Sequence, residues 1–238
     1  MKYRNTAAGV VAAALVAPAY LAGAPAYAEA VIWGIQAEQL EYRTGDGSDI
    51  LAWDFDAVIG TDELKFVWRS EAEYAFDGDF FETFENQARL QMPISDFFDG
   101  VVGVRVDTPE GPDRVYGVIG VHGLAPQWFE IDADLFLSDK PTFRFEAEYE
   151  ALITNRVILT PSFEVDLPLT DDHAIGAGAF GPKLEIGARL SYDLVDRAIS
   201  PYIGIHYERV FGETADLARA DGDDVDGIFF VVGTRIMF

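Results

Sequence analysis

Leu64, Phe66, Trp68, Ala72 and Tyr74 fall on one side of an extended chain, and Lys65, Arg69, Glu71 and Glu73 on the other. Successive side chains of a strand point to opposite faces, so a period of two marks a strand with one apolar and one charged face. The pattern recurs. Phe129, Ile131, Ala133 and Leu135 oppose Glu130, Asp132 and Asp134, while Phe143, Phe145, Ala147, Tyr149 and Ala151 oppose Arg144, Glu146, Glu148 and Glu150. Residues 157–167 and 184–192 alternate in the same way. A soluble sandwich alternates too, because one face packs on a core. Two details favour a membrane. The polar face carries charges of both signs, and the apolar face runs for roughly ten residues, the length a tilted strand needs to cross a bilayer. Hydrocarbon offers no water to an open sheet edge, so such strands must close. The expected fold class is therefore all-β, an antiparallel transmembrane β-barrel.

Twelve strands are expected, over residues 32–42, 51–59, 63–76, 80–92, 98–107, 115–124, 128–137, 142–153, 157–167, 183–193, 201–211 and 227–238. The first and sixth alternate poorly. An even number suits a bacterial barrel with both ends in the periplasm. The two longest connections, 168–182 and 212–226, fall on the same side of the alternation, as outer loops should. Both are expected as irregular loops, with Gly176-Ala177-Gly178 supplying flexibility. Trp128, Phe98 and Tyr202 are placed in a periplasmic aromatic girdle, and Tyr42, Phe76, Phe143 and Phe211 near the outer rim. The final Phe238, preceded at alternate positions by Ile236, Val232 and Phe230, resembles the C-terminal signal of outer-membrane barrels.

The N-terminal segment fits export. Lys2 and Arg4 precede an apolar run from Ala7 to Leu21, and Ala26-Tyr27-Ala28 is a small-x-small cleavage pattern. Residues 1–28 are expected to be a signal peptide cleaved after Ala28, leaving residues 29–238 as the barrel, and the destination is the cell outer membrane.

The formal charge is −24, and without the two bases of residues 1–28 it becomes −26. That excludes nucleic acid as a natural partner and favours cations, with outer-membrane lipid as the surroundings. The chain has no cysteine. No Gly-x-Ser-x-Gly elbow or nucleotide-binding layout is present, so no catalytic residue is assigned and the protein is not expected to be an enzyme. A general small pore and a barrel hydrolase are the alternative functions.

The strand parity lines the lumen with Glu71, Glu73, Glu130, Glu146, Glu148, Glu150, Glu164 and Glu185, against Arg69, Arg89, Arg105, Arg144, Arg189 and Arg235. Burying so many charges unpaired would cost several kcal/mol each, so cross-strand pairing is expected. Acids outnumber bases, and the remaining field favours cations.

Several strings are similar to the copper resistance protein B family. They are Glu41-Tyr42-Arg43, Gly103-Val104-Arg105-Val106-Asp107, and the run from Gly120 to Glu130 with Gly-Leu-Ala-Pro at its centre. Glu148-Tyr149-Glu150, Pro201-Tyr202-Ile203-Gly204, Phe211-Gly212-Glu213-Thr214-Ala215-Asp216 and Gly233-Thr234-Arg235 complete the set. The resemblance implies an outer-membrane barrel in copper tolerance, binding or passing copper beside a periplasmic multicopper oxidase. Members often carry a Met- and His-rich segment ahead of the barrel, whereas this chain holds three Met and three His in all. Soft Cu(I) prefers sulfur ligands and Cu(II) accepts imidazole and carboxylate, so a copper ion here is expected as Cu(II), transported or weakly bound. His206 and Glu208 are aimed into the lumen and, with His122, are the candidate metal ligands. Met237 is also aimed inward. His173 stands in an outer loop beside Asp171 and Asp172, where a surface cation site competes with ordinary solvated charge.

Overall fold

The alternating segments form strands, each antiparallel to its sequence neighbours. The computed structural model describes residues 30–238 apart from Glu110 and Asp196. The expected signal peptide and its cleavage site lie outside the described residues. Strand β1 is Ile32–Gly45, β2 Ile50–Gly60, β3 Lys65–Ala75, β4 Phe80–Pro93, β5 Phe98–Asp107, β6 Arg114–Ala125 and β7 Phe129–Leu137. Strand β8 is Thr142–Tyr149, resuming after Glu150 as Ala151–Leu152. Then come β9 (Val157–Pro168), β10 (Lys183–Tyr192), β11 (Ile199–Val210) and β12 (Asp226–Met237). The last strand returns to the first, with Tyr42 opposite Val232 and Gln36 opposite Met237. Phe238 takes part in this closure. Its N–H donates to Ile35 O and its carbonyl accepts from Ile35 N, both at 2.9 Å. Every strand therefore has two partners, which is what a sheet in hydrocarbon requires.

The outside of this barrel is apolar. Phe66, Trp68, Val102, Val104, Ile119, Ile186, Leu190, Ile203, Ile205, Phe230 and Val232 are all exposed. A soluble monomer does not carry an apolar surface of that extent. The connections 46–49, 76–79, 108–113, 138–141, 169–182 and 211–225 share one end, and the uniformly short ones share the other. The end with the long connections is the outer one.

The two poorly alternating strands have physical reasons. In β1, Ala37 faces Phe55 and Gln39 faces Asp54, so Glu38 is an extra residue in a bulge. Trp33 and Ile35 point outward before it and Leu40 and Tyr42 after it, which reverses the parity and turns Glu41 and Arg43 inward. In β6 the inward side chains are themselves apolar. Tyr116 and Val118 pack with Val101 and Phe136 in a buried cluster inside the barrel.

Four expectations are corrected. Tyr202 is not part of a lipid-facing girdle: it is 5 % exposed and its hydroxyl donates to Glu41 Oε2 at 2.8 Å. It shares the parity of His206, and its ring fills the space above Gly233, where a Cβ would stand 2.6 Å from it. Trp128 does not open a strand but ends a short turn, Pro126–Trp128, and is strongly exposed at the periplasmic rim. The connection after β11 is not irregular, for it contains helix α1 (Gly212–Asp221). Finally, Gly178 does not serve flexibility. A Cβ there would stand 2.5 Å from Glu213 Cβ, so glycine permits α1 to sit against the loop.

Candidate functional site

Closure of an alternating sheet collects the charged faces of most of its strands in the lumen. Most of these side chains are paired across the barrel. Glu41 is 1 % exposed and accepts from Arg189 Nε and Nη2, both at 2.8 Å, from Arg43 Nε at 2.7 Å and from Tyr202. Arg43 also bonds Glu73. Arg144 reaches Glu71 (2.9 Å), Asp166 (3.0 Å), Glu164 (3.3 Å) and Glu85 (3.3 Å). Arg105 bonds Glu85 at 2.7 Å and Asp107 at 2.7 Å, and its guanidinium lies 4.3 Å from the centre of the Phe136 ring. Arg69 bridges Asp56, Asp132 and Glu146. Arg89 pairs with Asp134 and lies 3.5 Å from Asp132. Arg235 holds Glu148 and Glu150, each at 2.7 Å, and Arg197 is 3.3 Å from Glu150. Guanidinium groups dominate because their planar fork can hold several carboxylates at once.

These pairs divide the lumen. On the outer side lies a cavity of about 1120 Å³. Fourteen Asp and Glu line it against six Lys and Arg, so its field is negative. On the periplasmic side is a smaller vestibule of about 330 Å³, lined by Leu124, Trp128, Glu130, Glu148, Glu150, Leu152 and Arg197. The two share no lining residue. Between them, Glu85, Gln87, Arg89, Asp134, Phe136, Val101 and Val118 have at most 2 % of their surface accessible. Arg89 Nε, Gln87 Oε1 and Asp134 Oδ1 have no hydrogen-bond partner, so this layer is less completely paired than the ring around Glu41.

The candidate metal ligands fall in two places. His206 is 3 % exposed, with Nε2 3.4 Å from Glu185 Oε2 and 3.5 Å from Arg43 Nη1. Glu208 faces the same cavity and pairs with Lys183 at 3.0 Å. His122 makes its contacts elsewhere, with Asp132 (Nδ1 to Oδ2, 2.9 Å) and Glu130 (Nε2 to Oε1, 3.9 Å). It shares none of these partners with His206 or Glu208. Met237, on the inward parity, sits half-exposed at the periplasmic rim. Two central acids, Glu41 and Glu85, were not among the expected lumen residues. The bulge hides Glu41, and a second register shift, opposite Glu73 and Tyr74, precedes Glu85 in β4.

A closed antiparallel barrel with an apolar belt outside and a charged lumen is an outer-membrane β-barrel. Residues 31–238 match the family described as "Copper resistance protein B precursor (CopB)". Copper resistance protein B of Escherichia coli is 32% identical over 220 residues, spanning 92% of this chain and 73% of that protein. The copper resistance protein B homolog of Pseudomonas syringae pv. tomato is 34% identical over 204 residues, spanning 85% of this chain and 68% of the homolog. The chain belongs to the copper resistance protein B family. Among solved structures, the NanC porin aligns with a TM-score of 0.53 at 11% identity, over 85% of this chain and 98% of the porin. The KdgM porin aligns at 0.52 and 12% identity, over 86% of this chain and 99% of that one. These two establish the fold alone.

Proposed function

We propose that this barrel handles Cu(II) at the outer membrane as a non-enzymatic conduit. The outer cavity collects the ion, and passage to the periplasm follows when the Arg89 layer rearranges. The observation that carries this reading is the excess of carboxylates in the outer cavity. Low-dielectric walls strengthen such a field and raise the local concentration of cations. His206, Glu208 and His122 are the proposed resting points along the way, and oxygen and imidazole donors suit Cu(II) better than Cu(I). The proposed partner on the periplasmic side is a multicopper oxidase.

The test is growth. A deletion strain should lose copper tolerance and regain it with the wild-type gene. Glu82, Asp223 and Asp224 line the cavity, and none of them forms an ion pair with a described residue. The Glu82→Gln/Asp223→Asn/Asp224→Asn variant should therefore assemble normally and restore tolerance only in part. Normal growth of the deletion strain on copper, in a genome without a second copy, would overturn the proposal.

A further inference from the structure

At the outer mouth, two segments far apart in sequence meet. Asp171 and His173, from the connection between β9 and β10, and Glu213, in the first turn of α1, each offer a ligand atom. The three atoms lie within 4.8 Å of one another, and all three side chains are exposed. Two carboxylates repel at that spacing, so their approach needs a cause in the fold.

That cause is a set of anchors that leaves the imidazole and the Glu213 carboxylate unused. Asp172 is 6 % exposed and takes paired hydrogen bonds of 2.9 Å from Arg114 Nε and Nη2. Its N–H donates to Ala177 O at 2.7 Å, closing the turn that carries His173. Asp171 Oδ1 accepts from Ala179 N at 2.7 Å, leaving the other carboxylate oxygen. Beside Glu213, the Thr214 hydroxyl accepts from Gly178 N at 3.0 Å and donates to Gly181 O at 2.6 Å.

Unlike the arginine-held ring around Glu41, this cluster has its nearby cations engaged elsewhere. Arg114 is taken by Asp172, Lys183 by Glu185 and Glu208, and Arg219 by Asp216. Lys140 bonds the backbone carbonyl of Asp171. Among the described residues, no lysine or arginine forms an ion pair with the Asp171 or Glu213 carboxylate, and the imidazole of His173 lies with them. One nitrogen and two carboxylate donors form a set that first-row divalent ions accept, Cu(II) most tightly.

We propose that Asp171, His173 and Glu213 form a binding site for a divalent transition-metal ion at the outer mouth, with water completing the coordination. Thr214, one residue from Glu213, and Ala174, one residue from His173, both line the outer cavity, so the site stands at its rim. That the natural ion is copper rests on the function proposed above. That the triad takes an ion of this class does not.

The experiment uses the full barrel in detergent, titrated separately with Cu(II) and Zn(II), and with Cu(II) followed by electron paramagnetic resonance. Wild type should show saturable binding and a spectrum with nitrogen coupling from one imidazole. His173→Ala should weaken both metals by about tenfold or more and remove the coupling. Glu213→Gln should weaken binding while keeping the coupling. Asp216→Asn, which changes an exposed acid of the same helix outside the triad, should leave both unchanged. All three residues are exposed, so the variants should keep wild-type heat-shifted gel mobility. Equal affinity in His173→Ala, or coupling that survives it, would overturn the site. Loss of binding in His173→Ala together with normal copper growth of the deletion strain would keep the site and remove the copper function. Copper-dependent growth with unchanged binding in His173→Ala would do the reverse.

Discussion

Replacing Arg89 by alanine should cost the barrel about 3–5 kcal/mol of stability, the range for removing one partner of a buried ion pair. Arg89 has no accessible surface and stands against Asp134 and Asp132. Without it, Asp134 remains buried with no cation in contact, whereas Asp132 keeps Arg69 and His122. Urea unfolding in lipid should therefore shift far to lower denaturant. The double change Arg89→Leu/Asp134→Leu should recover most of the loss, because a neutral pair of matched volume carries no desolvation penalty. Arg219→Ala, which removes only an exposed pair with Asp216, should leave the unfolding curve in place. An Arg89→Ala barrel as stable as wild type would show that the interior layer is wet and loosely held.

The second large effect concerns the lipid face. Ile186 and Glu185 are neighbours on β10, with Ile186 45% exposed outward and Glu185 inside, beside Lys183 and His206. Ile186→Arg near the bilayer midplane should cost about 2–4 kcal/mol and reduce assembly. Glu185→Gln should be far milder, because Lys183 keeps Glu208 and the amide still bonds. Outer-membrane yield of the two variants, compared with wild type, reads the difference. Equal yields would mean that the assigned faces of β10 are exchanged.

Strand number, order and bounds were legible because a period of two survives any choice of particular residues. Phe98–Asp107 is found at its expected limits, and most other bounds differ by one or two residues. What hid the rest was local. One bulged residue, Glu38, reversed the faces of β1 and concealed Glu41, the most heavily bonded acid of the lumen. The inward apolar pair Tyr116 and Val118 blurred β6. Helix α1 had a readable signal in Glu213 near its start, Arg219 near its end and an alanine-rich middle, but a loop position masked it. Which carboxylate each arginine holds depends on barrel closure. Arg189 and Glu41 lie 148 residues apart, and no sequence pattern links them. The same holds for His173 and Glu213.

The most direct measurement places purified barrel in liposomes that enclose a copper-quenched fluorophore, with Cu(II) outside and chloride flux followed in parallel. Cu(II) should enter well above the protein-free rate and faster than chloride moves, and the Glu82→Gln/Asp223→Asn/Asp224→Asn barrel should be slower. Copper influx at the protein-free rate, or chloride moving as readily as Cu(II), would contradict a cation conduit built on an acidic outer cavity.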